Sequence, residues 1–211
     1  MRQVLKIDGQ RPDESVIAEA SSILGAGGVV AYPTETFYGL GADGQIEEAI
    51  KKVFVIKGRN FKNPLSVIIG NAKDVGGLVE EIPEFALHLM ETFWPGALTI
   101  IFKASPDVSA LLTAGTGKIG IRLSSHPVAT ALANKLGHPI TATSANLSGK
   151  HEYTSADEVI RDIGEQIDAV MDGGKTLGGL GSTIIDVTTD PPAVLREGII
   201  PKYKLTKSAF I

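Results

Sequence analysis

Residues 27–41 read GGVVAYPTETFYGLG, and this stretch sets the fold class of the chain. The run from Val29 to Tyr32 is apolar and rich in β-branched side chains, which is typical of a buried strand. The glycine pair before it predicts the end of a helix, and Pro33 predicts the end of the strand. The polar residues that follow predict a loop at a strand end, where α/β proteins place their ligand-binding groups.

Outward from this stretch, apolar runs alternate with amphipathic segments along the chain. Strands are predicted at 4–7, 29–32, 66–69, 98–102, 119–123, 140–143, 169–171, 183–187 and 194–196. Helices are predicted at 12–24, 46–55, 83–93, 127–136 and 155–163, the last one capped by Ser155. This interleaving predicts an α/β fold with a mixed or parallel open sheet flanked by helices. We expect one domain over residues 1–211, with 199–211 as a C-terminal tail.

Composition limits the class of protein further. The 211 residues include no cysteine, so disulfides, cysteine-bound metals and thiolate nucleophiles are excluded. The N-terminus lacks the apolar segment of a signal peptide, and no run reaches the ~18 apolar residues of a membrane span. We therefore expect a cytoplasmic protein without a membrane partner. The four histidines show no metal-ligand spacing, so no protein-bound metal site is expected.

The charges are unevenly distributed, although the net charge is only −4. Residues 51–73 and 108–151 contain no acid but several lysines and arginines. At the average frequency of acids in this chain, the second window should contain about five of them. Chance and buried strands are one explanation. The other is that both windows border a site for a polyanion, which a carboxylate would repel.

Five cationic side chains lie at or near predicted strand ends: Lys57, Arg59, Lys118, Arg122 and Arg196. Taken singly, each is more often a solvated surface group. Taken together with nearby glycines and hydroxyls, they predict an anion site in which guanidinium groups and backbone N–H groups bind phosphate oxygens.

Seven blocks occur in an order that resembles the YrdC-like threonylcarbamoyl-AMP synthases. They are PTETFYGLG (33–41), KGR (57–59) with NPLSV (63–67), WPGALT (94–99), GIR (120–122), TSANLSG (143–149), GSTIID (181–186) and LREG (195–198). The resemblance implies a twisted α/β fold with a deep cationic cavity. It also implies a nucleotidyltransferase that condenses L-threonine, bicarbonate and ATP, with Mg²⁺, into threonylcarbamoyl-AMP. The product would pass to the complex that modifies the tRNA adenosine beside the anticodon.

The resemblance also implies residue roles. ATP is assigned to Lys57, Arg59, Lys118, Ser144, Asn146 and Arg196, of which Lys57 and Arg59 are the candidate catalytic residues; L-threonine or its carbamate is assigned to Thr34, Ser66, Arg122 and Ser182. Structural alternatives stay open for some of them. Thr34 and Ser182 are also suited to capping turns, and Asn146 to an Asx turn in its own loop.

Two other functions remain open on the sequence. A basic concavity also suits an RNA backbone, so an RNA-binding module for tRNA or double-stranded RNA is one alternative. A related enzyme that forms another carbamoyl-adenylate is the second. Longer members of the family carry an additional C-terminal domain, whereas this sequence stops soon after Arg196 and resembles the short form.

Overall fold

The computed structural model describes residues 3–207, which form helices and short strands in alternation. The helices are α1 (Glu14–Gly25), α2 (Glu47–Lys57), α3 (Glu84–Phe93), α4 (Ala110–Thr113), α5 (Pro127–Leu136), α6 (Ala156–Ile163) and α7 (Lys202–Lys207). Two 3-10 turns lie at Ala72–Gly77 and Gly164–Gln166. The five predicted helices are present, α4 was not predicted, and α7 falls in the predicted tail. The last four residues of that tail lie outside the described residues.

The strands form two mixed sheets. The strands are β1 (Gln3–Lys6), β2 (Val30–Pro33), β3 (Tyr38–Gly41), β4 (Val67–Ile68), β5 (Leu98–Lys103), β6 (Lys118–Arg122), β7 (Ile140–Thr141), β8 (Thr143–Ser144), β9 (Ala169–Asp172), β10 (Thr183–Asp186) and β11 (Ala193–Arg196). The first sheet has the order β1-β9-β2-β3-β8, and the second β11-β10-β5-β6-β4-β7. The mixed α/β fold is thus confirmed, with its strands divided between two sheets.

Parallel and antiparallel pairs occur in both sheets. In the first sheet β9 is parallel to β1 and β2, whereas β3 is antiparallel to β2 and β8. In the second sheet β10 with β5 and β4 with β6 are parallel, and the other pairs are antiparallel.

The stretch predicted to be a loop after Tyr32 is in fact a hairpin. Its second strand, β3, pairs with β2 so that Tyr32 faces Gly39. Glycine disfavours strands, so local propensity predicts no strand here. The reason is a close approach: a Cβ on Gly39 would lie 2.9 Å from Cζ of Tyr32, and one on Gly41 would lie 2.7 Å from Cε1. The buried ring of Tyr32 therefore occupies the space that side chains on β3 would need.

Local sequence explains where the helices end. Helix α2 stops at Gly58, which adopts the left-handed conformation with φ 57°. At α6, the Ser155 side chain accepts from the backbone N–H of Glu158, and the Glu158 carboxylate accepts from the backbone N–H of Ser155. This capping box confirms the prediction that Ser155 caps the helix.

Strands β7 and β8 connect the two sheets. Ile140–Thr141 belongs to the second sheet and Thr143–Ser144 to the first, with Ala142 between them. The N–H of Thr141 donates to the oxygen of Ala42 at 2.9 Å, and the N–H of Ala142 donates to the oxygen of Ser66 at 2.7 Å. The N–H groups of two neighbouring residues thus bond to segments beside different sheets, since Ala42 follows β3 and Ser66 precedes β4.

Two apolar clusters support the sheets. The larger one packs α2, α3 and α6 against strands of both sheets, and it includes Phe54, Leu98, Phe102, Ile121 and Tyr153. The smaller one packs α1 and α5 against the first sheet and against β4 and β7 of the second, and it includes Leu5, Leu24, Tyr32 and Leu132. Within the described part of the chain, no helix has the length and apolar character needed to cross a bilayer.

Candidate active site

A cavity of about 1130 Å³ is lined by strands of both sheets. Side chains alternate between the two faces of a strand, so one set of positions faces the cavity and the other the core. In β5, Thr99 and Ile101 line the cavity, whereas Leu98 and Ile100 are buried in the core. The same alternation in β6 and β10 gives the second sheet a polar face toward the cavity.

All ten residues assigned from the sequence line this cavity. They are Thr34, Lys57, Arg59, Ser66, Lys118, Arg122, Ser144, Asn146, Ser182 and Arg196. Both acid-free windows contribute to the lining, and the cations on it outnumber the acids. Because these residues come from separate segments, the fold itself brings them together.

Lys57, in the last turn of α2, is 3% exposed. Its Nζ donates to the backbone oxygens of Ser144 and Asn146, the latter at 2.7 Å, and to Oδ1 of Asn146 at 3.1 Å. An ammonium group has three protons, so these bonds account for all of them. Burial, with a contribution from the positive charge of Arg59, lowers the pKa of Lys57 to about 8. In this structure, Lys57 therefore organises the loop after β8.

The loop after β8 is also closed by its own side chains. Oδ1 of Asn146 accepts from the hydroxyl of Ser144 at 2.5 Å, and Nδ2 donates to the oxygen of Lys150 at 2.6 Å. Asn146 is 5% exposed. Asn146 therefore braces its own loop, but not by the Asx turn that the sequence left open, because the N–H of Ser148 donates to the oxygen of Lys57 instead.

Arg59 lies just beyond α2 and closes the following loop. Its Nη2 donates to the oxygen of Pro64 at 2.8 Å, and Nε donates to the oxygen of Asn63 at 3.3 Å. Burial lowers the pKa of Arg59, but the pKa of a guanidinium group lies so far above neutrality that Arg59 stays charged at neutral pH. Its partners are neutral carbonyls, so its positive charge is not cancelled by these contacts.

Arg122 is different, because it forms an ion pair with a half-buried acid. Nη2 and Nε of Arg122 lie 2.6 Å and 3.1 Å from Oε1 of Glu35, and the hydroxyl of Ser124 donates to Oε2. Burial raises the pKa of Glu35, but the charge of Arg122 and the hydrogen bonds from Ser124 and Arg122 more than offset it and hold the pKa below its ordinary value. The pair is therefore ionised at neutral pH.

A second ion pair lies on the same wall. Nζ of Lys118 is 2.9 Å from Oδ2 of Asp186, whose Oδ1 accepts from the N–H and hydroxyl of Thr188. Burial raises the pKa of Asp186, and the bonds from Thr188 and Lys118 outweigh it, so that the net pKa is lowered. Lys118 thus also faces the cavity with its charge compensated.

Arg196 and Ser182 form the end of the cavity near β11. Nε and Nη2 of Arg196 donate to the oxygen of Ser182 at 3.0 and 2.8 Å, and Nη2 also donates to its hydroxyl at 3.0 Å. That hydroxyl contacts the hydroxyl of Thr99 at 2.9 Å. The guanidinium group is thus held in place by neutral oxygens.

The remaining two assigned residues differ in how free their hydroxyls are. Thr34 is buried and donates to the oxygen of Phe37 at 2.7 Å, so it caps its own turn. Within residues 3–207, the hydroxyl of Ser66 has no hydrogen-bond partner and faces the cavity. A Cβ on Gly120 would lie 2.5 Å from Oγ of Ser66, so glycine at position 120 leaves room for the Ser66 hydroxyl on the cavity wall.

Sequence reasoning missed several polar residues of the site, chiefly Glu35, Thr36, Thr99 and Asp186. Glu35 and Asp186 fall inside recognised blocks, but their partners are distant in sequence. Thr99 had a signal, since it interrupts an otherwise apolar strand at a position that alternates with buried residues.

The structure also bears on metal binding. Across the chain from residue 3 to 207, no group of three or more histidine, aspartate or glutamate side chains is arranged to hold a metal ion. Two acids line the cavity: Asp186 forms an ion pair with Lys118, and Glu152 acts on Lys57 and Arg196 through its charge.

The family model Sua5_yciO_yrdC, described as "Telomere recombination", matches residues 22–198. Threonylcarbamoyl-AMP synthase of Bacillus subtilis is 44% identical over 190 residues, which cover 90% of this chain and 55% of that protein. The protein of the same name from Pyrococcus abyssi is 40% identical over 198 residues, covering 94% and 58%. This chain thus spans little more than half the length of these relatives.

Two solved structures match over nearly the whole chain. The crystal structure of P. abyssi Sua5 complexed with L-threonine has a TM-score of 0.94 and 39% identity, and the match covers 98% of this chain and 61% of that one. The crystal structure of E. coli YciO has a TM-score of 0.89 and 29% identity, with 97% and 99% covered.

Proposed function

The chain belongs to the Sua5/YciO/YrdC family, and we propose that it is an L-threonylcarbamoyladenylate synthase, a nucleotidyltransferase that condenses L-threonine, bicarbonate and ATP. The observation that carries this proposal is the convergence of all ten assigned side chains on one cavity. Its volume of about 1130 Å³ exceeds the range of roughly 300–1,000 Å³ typical of single-ligand pockets, which favours a site for two substrates together.

The relatives support the proposal in two ways. Two proteins at 40% and 44% identity carry the name threonylcarbamoyl-AMP synthase, and the P. abyssi protein was crystallised with L-threonine. Both are longer than this chain, so their activity is carried over here as a proposal.

ATP is assigned to a part of the cavity where two of the cations have neutral partners, whereas Lys118 is paired with Asp186. Arg59 and Arg196 keep their full positive charge there, because they bond to carbonyl and hydroxyl oxygens. Guanidinium groups suit the bidentate binding of phosphate oxygens. Lys57, Ser144 and Asn146 shape the loop beside them, and Lys118 contributes from β6.

L-Threonine or its carbamate is assigned to Thr34, Ser66, Arg122 and Ser182. Arg122 supplies a donor for a carboxylate, and the free hydroxyl of Ser66 supplies a donor or acceptor for the small polar groups of the substrate. Thr34 acts mainly by fixing the turn that places Thr36 against Arg122.

The reaction needs positioning and charge rather than a nucleophilic side chain. The threonine amine attacks the carbon of bicarbonate and water leaves, which gives a carbamate. A carbamate oxygen then attacks the α-phosphorus of ATP, the bond to the β-phosphate oxygen breaks, and pyrophosphate leaves. Arg59 and Arg196 would stabilise the negative charge that moves onto the leaving group.

Magnesium would enter with ATP. Mg²⁺ is commonly held by substrate phosphates, water and one or two carboxylates. Glu152 fits this role, because it lines the cavity, is exposed, and interacts electrostatically with Lys57 and Arg196. Bound there, the ion would offset the charge of the phosphates.

The cellular role follows from the product. Threonylcarbamoyl-AMP is an activated acyl group, so it would be passed to a tRNA-modifying complex that acts on the adenosine beside the anticodon. We place this in the cytoplasm, where tRNA and ATP are available. The same cavity, together with the two acid-free windows at 51–73 and 108–151, would also suit direct binding of tRNA or double-stranded RNA.

The test is an incubation of purified protein with MgATP labelled at the α-phosphate and bicarbonate, with and without L-threonine. Pyrophosphate release and a new labelled adenylate that both depend on threonine and bicarbonate would support the proposal. Turnover that requires carbamoyl phosphate instead would assign the chain to the related carbamoyl-adenylate enzymes. No turnover, with salt-sensitive RNA binding by the folded protein, would favour the RNA-binding module.

A further inference from the structure

Glu35 lies behind Arg122 as seen from the cavity. Arg122 and Thr36 line the cavity, whereas Glu35 and Ser124 do not. The side chains of Arg122 and Glu35 are only 8% and 14% exposed. A ligand in the cavity would therefore contact Arg122 directly. Glu35 would act on that ligand through the charge and orientation of Arg122.

The contacts fix which part of Arg122 remains available. Nε and Nη2 both bond to Oε1 of Glu35, and Nη2 also lies 3.5 Å from the hydroxyl of Thr36. Within the described part of the chain, Nη1 has no hydrogen-bond partner. A guanidinium group normally offers a carboxylate or phosphate two parallel donors, but the Nε–Nη2 edge is already occupied. Arg122 is left with its end-on edge for a ligand, made of Nη1 and the second proton of Nη2.

Glu35 also changes the charge at this end of the cavity. The Arg122–Glu35 pair sums to zero, whereas Arg59 and Arg196 are held by neutral oxygens and keep a full charge. A phosphate with two charges gains most from uncompensated cations, and a zwitterionic amino acid gains little from them. The two ends of the cavity therefore differ in charge as well as in shape.

We propose that Glu35 is a positioning residue that makes the Arg122 end of the cavity select the single carboxylate of an amino acid and reject phosphate. This inference rests on the proposed function, in that it names L-threonine as the amino acid. Glu35 does so in two ways: it orients the guanidinium group, and it cancels the charge that would attract a phosphate.

Three variants separate these effects. Glu35→Gln keeps the size of the side chain and removes its charge, and Glu35→Asp keeps the charge and shortens the side chain. Glu48→Gln is the matched control, since it removes one carboxylate from an exposed ion pair with Lys51, away from the cavity. Binding of L-threonine and of inorganic phosphate is measured separately by calorimetry on the full chain, with circular dichroism to verify folding.

We expect Glu35→Gln to bind L-threonine about tenfold more weakly and inorganic phosphate about tenfold more tightly, with the two ligands competing. Glu35→Asp should weaken threonine binding without any gain for phosphate, and Glu48→Gln should match the native protein. An unchanged phosphate affinity in folded Glu35→Gln would overturn the inference. If the native protein bound no L-threonine while Glu35→Gln still gained phosphate affinity, the charge role would stand and the proposed function would fall.

Discussion

Nζ of Lys57 is bonded to Asn146 twice, at the backbone oxygen (2.7 Å) and at the side-chain oxygen (3.1 Å). The two residues are 89 positions apart in the sequence, and the bond joins the end of α2 to the loop after β8. Lys57, which is assigned to ATP by resemblance, therefore also holds the end of α2 against the loop after β8.

Replacing Lys57 with alanine should lower stability as well as activity. It leaves the oxygens of Ser144 and Asn146 without their donor in a buried place, which should cost about 2–4 kcal/mol in the free energy of unfolding. Urea denaturation measures this. The matched control is Lys52→Ala, on the same helix, which removes an exposed side chain with one partly buried bond to Gly27 and should cost about 1 kcal/mol. Equal losses of stability in the two variants would contradict a stabilising role for the buried hydrogen bonds of Lys57.

The depressed pKa of Lys57 predicts a pH dependence. Burial lowers this pKa from 10.5 to about 8 in the folded protein. Between those values the unfolded chain holds a proton that the folded chain has released, so stability rises with pH. Relative to Lys57→Met, the native protein should gain up to about 3 kcal/mol between pH 8 and 10.5. Urea denaturation of both proteins across this range measures it, and parallel curves would show that the pKa is not depressed.

Replacing Gly39 with alanine should destabilise the hairpin of β2 and β3. The new Cβ would lie 2.9 Å from Cζ and 3.1 Å from Oη of Tyr32, whose buried hydroxyl donates to the oxygen of Thr141. Overpacking of this kind costs about 1–3 kcal/mol. Gly76→Ala is the control, because no atom lies within 4 Å of its added Cβ. Thermal unfolding compares the two, and a similar melting temperature for both would refute the close packing.

Replacing Arg59 with alanine should weaken ATP binding with little effect on folding. The lost guanidinium–phosphate contact is worth about 1.5–3 kcal/mol, or roughly 10- to 100-fold in the KM for ATP. Lys62→Ala removes a charge from the same loop, but Lys62 does not line the cavity, so its KM should change less than about twofold. Steady-state kinetics at two salt concentrations tests this. Equal effects of the two variants would mean that only the overall charge of the loop matters.

Local features of the sequence predicted part of the fold. The cap at Ser155 was predicted because it depends on neighbouring residues, whereas the helix predicted at 46–55 runs on to Lys57, where Gly58 ends it. Strand β3 was missed because its glycines reflect the ring of Tyr32 on the neighbouring strand. The division into two sheets was missed because it depends on where Ala142 lies in space.

The candidate site shows the same limit. The clustering of cations at strand ends predicted an anion site, and resemblance to a family assigned the ten side chains that line one cavity. The ion pairs that compensate Arg122 and Lys118 were not predicted, because Glu35 and Asp186 lie 87 and 68 positions from their partners. The distribution of charge within the cavity is thus a property of the folded chain.

The crossing at Ala142 has a mechanical consequence. Thr141 bonds to the first sheet through its N–H and its hydroxyl, and the N–H of the next residue bonds to Ser66 beside the second sheet. Separating the sheets at this point would break the bonds of Thr141 to Leu40 and Ala42 together. The two sheets should therefore move as one unit here.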